Sequence, residues 1–250
     1  MNIKYWNSLA SEFDNHVFEI VNSDLHGILK KQVGLVAKGN NTAADLGCGT
    51  GSLLPHLCSK FKTVYAVDFA AKILSVAKQR NDCANVQYLT HNLAGVNPLH
   101  FTVDVTFSVN SLICTSNAKR QNIAQSIWRA TKKNGLCVVV VPSMESVIHT
   151  YQALVRCKVR NEIDHRHAIR TMDRLYKKEV LSSVDGVVSI GGTPTKCYTR
   201  EEITIFLSDI GFTIERILRV EYPWAEILDN TPQWLKEPYP WDWCILGRRS

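Results

Sequence analysis

The most informative stretch of the chain is Ala44-Asp45-Leu46-Gly47-Cys48-Gly49-Thr50-Gly51. It follows a short apolar run that begins at Thr42, and it leads into an apolar helical pattern from Leu53 to Leu57. Three glycines in five residues permit positive φ and leave the backbone open to a ligand. The helix that follows adds unpaired N–H groups and the positive end of its dipole. The order strand, glycine turn, helix therefore predicts a ligand held against bare backbone.

The spacing of the glycines separates the kinds of ligand. A dinucleotide turn has the pattern G-x-G-x-x-G and a P-loop needs Gly-Lys-Ser/Thr, whereas this turn reads G-x-G-x-G. Asp45 stands two places before the first glycine, which favours a ligand with a positive amino group over a pyrophosphate. An ordinary glycine loop is the alternative interpretation, and the ordered neighbours of the turn argue against it.

The turn resembles the first motif of class I S-adenosylmethionine-dependent methyltransferases, and the whole pattern resembles their small-molecule type. A second short strand, Thr63 to Val67, ends at Asp68, 17 residues after Gly51. The resemblance implies S-adenosyl-L-methionine as cofactor, with Asp45 and the glycines at its methionine end and Asp68 at the ribose hydroxyls. The full set of implied cofactor contacts is Asp45, Gly47, Cys48, Gly49, Gly51, Asp68, Phe69, His91, Asn92, Leu93, Ser108 and Asn110.

The adenine end departs from the family pattern. The family usually carries an acid after the third strand, where this chain has His91-Asn92-Leu93. The side-chain oxygen of Asn92 can accept a hydrogen bond from the adenine amino group, and His91 can stack on the ring. His91 also fits a solvated loop residue, so both interpretations stay open.

Short apolar runs alternate with helical segments from Thr42 to Val141, which is typical of parallel strands with crossover helices. The pattern predicts strands near 42–46, 63–67, 86–89, 103–109 and 136–141, and helices near 51–60, 70–79 and 117–132. The fold class is therefore α/β and doubly wound. The resemblance implies a mostly parallel seven-stranded sheet of order 3-2-1-4-5-7-6, with helices on both faces and a helical cap inserted after strand 5.

Length and composition predict a single packed domain over residues 1–250. Hydrophobic residues make up 45% and charged residues 21%, and no apolar run reaches membrane-spanning length. Eight scattered cysteines without a C-x-x-C pair read as reduced and buried, so we expect a cytoplasmic protein. Residues 1–40 are predicted to be N-terminal helices over the cofactor site, one over 5–30 and one over 29–37, with Gly27 as a break; simple docking of an amphipathic helix is the alternative.

The acceptor is expected beyond the fourth strand, because ligands of open α/β sheets lie at the carboxyl ends of strands. Ser108 to Leu112 should line that position, with Asn110 and Ser111 as substrate contacts. The chain lacks the Asn/Asp-Pro-Pro-Tyr/Phe motif, which argues against adenine- and glutamine-N methylation. The complete set of predicted substrate contacts is Tyr5, Trp6, Asn110, Ser111 and Trp224.

Residues 143–197 are predicted to form an inserted basic helical cap. Between Arg156 and Lys178 there are eight Lys or Arg against three acids. This excess fits a solvated helix face, a cap that attracts an anionic small substrate, or a nucleic-acid-binding face; the shortage of aromatic residues weakens the last. His165-Arg166-His167 is not expected to bind metal, because two histidines at i and i+2 of a helix diverge.

The C-terminal part adds a second family-like pattern. Thr199 and Glu202 predict a capping box for a helix that ends at Gly211. Phe212–Val220 and Trp243–Gly247 then read as antiparallel strands. The Pro- and Trp-rich residues 223–241 between them form a structural loop or an aromatic wall beside the substrate.

The implied function is methyl transfer from S-adenosylmethionine to a small molecule by in-line displacement. The acceptor is expected to be an anionic or aromatic compound, and no membrane partner is expected. His149, Tyr151 and Tyr176 are candidates for a general base in the cap. The alternatives are a tRNA or protein methyltransferase that uses the basic cap, and a non-catalytic cofactor-binding partner subunit. The methylated atom and the oligomeric state are not determined by the sequence.

Overall fold

The computed structural model describes residues 3–8, 10, 18–161 and 163–250. Its main sheet has seven strands, and three further strands, β6 (Val180–Ser182), β7 (Val187–Ile190) and β8 (Thr193–Lys196), form a separate sheet. The seven strands are β1 (Thr42–Leu46), β2 (Thr63–Asp68), β3 (Val86–Thr90), β4 (Val103–Val109), β5 (Thr131–Pro142), β9 (Phe212–Glu221) and β10 (Trp241–Arg249).

The strand order is β3-β2-β1-β4-β5-β10-β9. Strands β1 to β5 are parallel to one another, and β10 runs antiparallel to both β5 and β9. Within this sheet β9 is the sixth strand along the chain and β10 the seventh, so the predicted order 3-2-1-4-5-7-6 is confirmed. The carboxyl ends of β1, β2, β4 and β5 consequently meet at one edge, where a site can form.

Helices cover both faces of this sheet, as predicted. One buried cluster joins Leu29 and Leu54 to the strands, and the other joins Ile127 and Leu207 to the opposite face. The helices are α1 (Ile3–Ser8), α2 (Ile20–Ser23), α3 (Ile28–Val36), α4 (Leu54–Cys58), α5 (Ala71–Arg80), α6 (Asn117–Ala130), α7 (Met144–Arg160), α8 (His165–Glu179) and α9 (Arg200–Ile210), with a 3₁₀ turn at Trp224–Glu226.

The continuous helix predicted over residues 5–30 is wrong where the chain is described. Residues 24–27 separate α2 from α3, because the Asp24 carboxylate accepts the Leu29 N–H at 2.7 Å and Gly27 takes φ of +62°. The Leu25 N–H also bonds to the Glu221 carbonyl at 2.8 Å, which ties this turn to β9. Gly27 is therefore a break, as predicted, and the rest of the expected helix at 9 and 11–17 lies outside the described residues.

The segment inserted after β5 is only partly helical. Helices α7 and α8 are followed by an antiparallel sheet of β6 (Val180–Ser182), β7 (Val187–Ile190) and β8 (Thr193–Lys196), which the sequence analysis missed. Gly191 and Gly192 have φ of +55° and +80°, the geometry of a two-residue hairpin turn between strands. The run 189–194 is thus the end of a β-hairpin.

Two buried cations connect this inserted segment to the main sheet. Arg120 of α6 donates to the carbonyls of Cys114 at 2.9 Å and Thr115 at 2.7 Å, and it contacts Asp185. Lys196 of β8 is fully buried, and it donates to the Asp185 carbonyl at 2.7 Å and pairs with Glu202. Because each charge is hydrogen-bonded on several sides, its burial is compensated.

Three local expectations change. The Thr199 hydroxyl caps α9 by accepting the Glu202 N–H at 3.1 Å, but the Glu202 carboxylate pairs with Lys196 instead of completing a capping box. The expectation that every cysteine is reduced is contradicted, since Cys58 and Cys83 form a disulfide. The helix predicted to reach residue 132 ends at Ala130, and residues 132–135 lie inside β5, with Asn134 at φ of +62°. No helix in the described ranges is long and apolar enough to cross a membrane.

Candidate active site

A large cleft opens at the carboxyl edge of the parallel strands. Its volume is about 1130 Å³, and it extends from the glycine turn to α7, α8, the β7–β8 hairpin and the loop after β9. The floor belongs to the sheet, and the inserted segment supplies the opposite wall. One compartment therefore lies against the strand ends, and a second lies under the inserted segment.

The glycine turn has its geometry imposed by the backbone and by packing. Gly47, Gly49 and Gly51 have φ of +87°, +53° and +83°. A Cβ on Gly47 would lie 2.7 Å from the Ser111 Cβ, and one on Gly51 would lie 2.8 Å from a Leu54 methyl. The N–H groups of Gly47 and Cys48 both bond to the Val67 carbonyl, at 2.8 and 3.0 Å. The turn is thereby held across the ends of β1 and β2.

Two buried carboxylates flank this turn. Asp68 ends β2, and its two oxygens accept the N–H groups of Gly49 at 3.2 Å and Ala70 at 2.9 Å. Burial raises the pKa of Asp68, and these hydrogen bonds oppose the rise. Asp45 is 2% exposed; burial and then the charges of Asp68 and Glu19 raise its pKa to about 7. Both acids line the cleft, where they form a region that favours a cation.

The donor set of this region fits S-adenosylmethionine. Asp45 is a buried acid, and no cation among the described residues compensates its charge, which suits an ammonium group. The Asp68 carboxylate accepts the N–H groups of Gly49, Phe69 and Ala70, and since a carboxylate can accept about four hydrogen bonds, it keeps acceptor capacity for the ribose hydroxyls. The positive-φ turn next to them keeps side chains away from the ligand. These residues would hold the methionine and ribose parts of the cofactor.

The residues expected at the adenine lie on the same cleft. Phe69, His91, Asn92 and Leu93 all line it. The Asn92 side-chain oxygen accepts the Ala94 N–H at 3.1 Å, and the His91 Nε2 contacts the Asn97 carbonyl at 3.1 Å. The Asn92 oxygen therefore retains one acceptor site for an amino group.

The end of β4 brings some predicted residues to the cleft and not others. Asn110 and Ser111 line it, whereas Ser108 does not and instead bonds to the Ser111 hydroxyl from a buried position. Gly51 is also absent from the lining described here and borders a smaller neighbouring depression. Both residues support the site by shaping its walls.

The three predicted bases are separated by the structure. Tyr151 lines the cleft, and its hydroxyl donates to the Glu179 carboxylate at 2.5 Å; burial and this carboxylate raise its pKa well above the usual range. Tyr176 packs edge-on against Tyr151 outside the described lining. His149 also lies outside it, because its Nε2 donates to the Pro238 carbonyl at 2.9 Å and its ring packs near Trp224.

Of the aromatic residues predicted to contact the substrate, one lines the cleft and another is buried elsewhere. Trp6 of α1 lines the cleft, and the Tyr5 side chain lies outside the described part of the chain. Trp224 is 1% exposed, donates from Nε1 to the Lys236 carbonyl at 2.9 Å and packs with Leu235. Trp224 is therefore a core residue of the loop 223–241, which favours the structural interpretation of that loop at this position.

Sequence reasoning missed a polar cluster opposite Asn110. Asp242 of β10 is 3% exposed and lines the cleft, with its two oxygens 3.5 Å from the Asn110 Nδ2 and from the Tyr222 hydroxyl. Burial raises the pKa of Asp242 to about 7. A lone acid between Trp241 and Trp243 in an otherwise apolar strand was the signal available in the sequence. Its distance from the glycine turn along the chain concealed its place in the site.

Comparison with known proteins agrees with this geometry. A family model described as "Methyltransferase domain" matches residues 43–135, which include β1 to β4 and the glycine turn. The chain has the fold of the class I S-adenosylmethionine-dependent methyltransferases. It departs from the sequence pattern of that family at the adenine end and carries an inserted mixed α/β segment after β5.

Several solved structures share the fold of this chain. The N-methyltransferase NodS from Bradyrhizobium japonicum WM9, bound to S-adenosyl-L-homocysteine, is 11% identical with a TM-score of 0.62; the match covers 98% of this chain and 97% of NodS. A methyltransferase from Methanosarcina mazei is 15% identical with a TM-score of 0.62, covering 90% and 98%. Magnesium protoporphyrin IX methyltransferase from Synechocystis PCC 6803 is 15% identical with a TM-score of 0.57, covering 99% and 97%.

A curated relative is the malonyl-[acyl-carrier protein] O-methyltransferase of Bacillus anthracis. It is 26% identical over 174 residues, a match that covers 66% of this chain. The chain spans 62% of the length of this relative. The similarity is therefore to a part of that enzyme.

Proposed function

We propose that this protein transfers the methyl group of S-adenosylmethionine to a small-molecule acceptor. The observation that carries the proposal is the meeting of Asp45, Asp68 and the positive-φ glycine turn at the mouth of one cleft in a class I fold. The cleft continues beyond them into a compartment large enough for a small acceptor. The related proteins named above include enzymes for small acceptors, which supports the same proposal.

The cofactor supplies an electrophilic methyl group on a sulfonium, and the thioether leaves when the acceptor attacks in line. The work of the protein is then alignment of the acceptor and exclusion of water. Asp45 would hold the ammonium group, Asp68 the ribose hydroxyls, and the residues from Phe69 to Leu93 the adenine. Asn110 and Ser111 lie at the end of β4, between this pocket and the inserted segment, where the acceptor would meet the methyl group.

A proton acceptor is required only where the nucleophile carries a proton. Among the three bases expected from sequence, Tyr151 alone lines the cleft, and its hydroxyl is already committed to Glu179. Asp242 is better placed in this respect, since its carboxylate faces the cleft and its raised pKa makes it a stronger base than an ordinary aspartate.

The basic excess of the inserted helices lies outside the cleft. Of the eight Lys and Arg between Arg156 and Lys178, seven are exposed and Lys158 is half-buried, and none belongs to the described lining. This arrangement favours the interpretation of a solvated helix face. The alternative of a tRNA methyltransferase would require RNA to bind this face with a steep dependence on salt.

Calorimetry of S-adenosylmethionine, S-adenosylhomocysteine and NAD tests the proposal. We expect about micromolar affinity for both adenosyl ligands and no binding of NAD. Asp68→Ala should weaken both by at least about tenfold, because the ribose hydroxyls lose a charged acceptor. Asp68→Asn separates this loss from loosening of the turn, since it retains an oxygen for the Gly49 N–H.

The control variant is Asp209→Asn, which removes an exposed acid on α9 outside the described lining. Its ligand affinities should match those of the wild type. Absence of binding for both adenosyl ligands, or equal binding of NAD, would contradict the proposed function.

A further inference from the structure

The Asp and Glu side chains that line the cleft are not balanced by Lys or Arg in the described lining. The described lining of the whole cleft contains seven carboxylates and no Lys or Arg. Three of the acids lie on the cofactor side, namely Glu19, Asp45 and Asp68. The other four surround the acceptor side: Glu179, Glu226, Asp229 and Asp242. An anionic acceptor, which the basic composition of the inserted segment suggested, would meet repulsion here.

Asn110 and Asp242 both offer hydrogen-bond acceptor atoms in this compartment. The Asn110 amide turns its NH₂ toward Asp242, as it must beside a carboxylate, and this leaves Oδ1 facing elsewhere. That Oδ1 is buried and has no hydrogen-bond partner within the described residues. The backbone of Asn110 is held in place at φ of +51°, because its N–H donates to the Val140 carbonyl at 2.9 Å.

Asp242 also has unused capacity. Each of its oxygens has one donor at the long distance of 3.5 Å, whereas a carboxylate can accept about four hydrogen bonds. In the described part of the chain, no Lys or Arg forms an ion pair with it. A buried carboxylate without a cation and a buried amide oxygen without a donor are both satisfied by the same ligand group, an N–H-bearing cation.

From this geometry we infer that the acceptor is a primary or secondary amine on an apolar body, with its nitrogen held between Asp242 and the Asn110 Oδ1. The inference rests on the proposed function and names its substrate class. The wall above this point is apolar and would contact the body of the amine; it includes Val147, Leu154, Leu175, Val188, Ile190 and Leu228.

Asp242 then has a defined part in the reaction. The ammonium form of the acceptor gives one proton to the Asp242 carboxylate, which frees the nitrogen lone pair. That lone pair forms the new N–C bond to the methyl carbon while the S–C bond breaks, and the sulfur keeps the electron pair and becomes a neutral thioether. The product is a methylated ammonium, so the positive charge passes from sulfur to nitrogen.

The test measures binding without turnover, with S-adenosylhomocysteine saturating. The probes are 2-phenylethyl, indolylethyl and n-octyl compounds, each as primary amine, alcohol and carboxylate, and binding is followed by ligand-observed NMR. We expect at least one amine to bind about tenfold or more tightly than its matched alcohol, and the carboxylates to bind more weakly still.

Two variants assign the preference to the proposed residues. Asp242→Asn should abolish the advantage of the amine over the alcohol, and Asn110→Gly, which tolerates positive φ, should reduce it. Asp242→Asn should retain affinity for S-adenosylhomocysteine within about threefold. Asp209→Asn should preserve the preference, since that acid lies on the outer surface.

Several results would overturn the inference. These are carboxylates binding as well as amines, an amine preference that survives Asp242→Asn, loss of S-adenosylhomocysteine affinity in place of amine preference in that variant, or no amine binding at all. In each of these the proposed methyltransferase function stands as long as wild-type protein binds S-adenosylhomocysteine. Failure of that binding would instead contradict the proposed function itself.

Discussion

At the scale of single residues, burial changes what a carboxylate can do. Asp45 and Asp242 both have a pKa of about 7, and desolvation is the largest cause for each. An ordinary aspartate would be charged at neutral pH regardless of ligand. These two are poised to change protonation when a cation arrives, because a nearby positive charge favours the ionised form.

The affinity for S-adenosylhomocysteine should therefore depend on pH through Asp45. Below a pKa of about 7 the free carboxyl is protonated, and it must lose that proton to bind the ligand ammonium. Calorimetry should show affinity rising by up to about tenfold per unit from about pH 5.5 to about pH 7, with proton release on binding. Asp45→Asn should bind more weakly and lose this dependence. A pH-independent affinity in the wild type would refute the assignment of Asp45.

The stability of the ligand-free protein should show the opposite trend. The folded-state pKa of Asp242 lies above its ordinary value of 3.8, so the folded protein holds more protons than the unfolded chain between about pH 4 and 7. This contribution to stability is full below that window and is lost as the pH rises through about 7. Asp242→Asn should raise Tm at about pH 8 by several degrees. The corresponding gain in the free energy of unfolding is at most about 4 kcal/mol.

Thermal unfolding at several pH values measures this effect. At about pH 4 the variant and the wild type should have similar Tm values, because Asp242 is then protonated in the folded protein. Asp209→Asn serves again as the exposed control and should shift Tm little at any pH. A Tm for Asp242→Asn below that of the wild type at alkaline pH would show that the carboxylate is stabilised by its surroundings.

At the scale of elements, the glycine turn and the β7–β8 hairpin use the same backbone geometry for different purposes. Gly51 and Gly192 have nearly equal φ values of +83° and +80°. Gly51 has the Asn81 side chain and a Leu54 methyl within 2.8 Å of where a Cβ would stand, whereas Gly192 has nothing within 4 Å. The pair therefore separates conformational strain from close packing.

Gly51→Ala should destabilise the protein by about 2–4 kcal/mol and weaken cofactor binding, because strain and overpacking add. Gly192→Ala should lower the free energy of unfolding by only about 1 kcal/mol, because backbone strain is its only cost and no neighbouring atom is crowded. Denaturant unfolding of both variants measures the difference. Equal losses would mean that the walls of the turn yield and that packing around Gly51 is not restrictive.

At the scale of the whole molecule, Arg120 connects the main sheet to the inserted segment. Its guanidinium is buried, and it joins the loop after β4 to the loop between β6 and β7 through Cys114, Thr115 and Asp185. Thr115 and Cys114 also line the cleft. The shape of the acceptor compartment thus depends on a residue that the sequence presents as one more charge on a helix.

Arg120→Ala should lower the free energy of unfolding by about 2–4 kcal/mol, because the carbonyls of Cys114 and Thr115 lose a buried charged donor. Arg120→Lys should recover little of this, as an ammonium lacks the planar fork. Arg129→Ala, which removes an exposed arginine at the end of the same helix, is the comparison. The measurement is chemical denaturation, and a loss no larger than that of the comparison would exclude a bridging role.

The sequence alone determined the local and repeating features of this protein. Hydrophobic runs and turn residues indicated β1 to β5, the glycine turn and the acid at the end of β2, because each depends on neighbours close along the chain. The resemblance to a family then supplied the strand order. The cofactor side of the cleft was therefore largely predictable from residues 44–93.

Only the tertiary structure decided the acceptor side. Asp242 and Asn110 are 132 residues apart and meet because β10 pairs with β5, a long-range contact that no local pattern encodes. The sequence suggested His149 as a base and Trp224 as a substrate contact, but both side chains bond to backbone carbonyls within the protein. The inserted segment likewise carries exposed basic residues together with Glu179, a carboxylate of the cleft lining. Which of these side chains faces the cleft depends on packing across the whole fold.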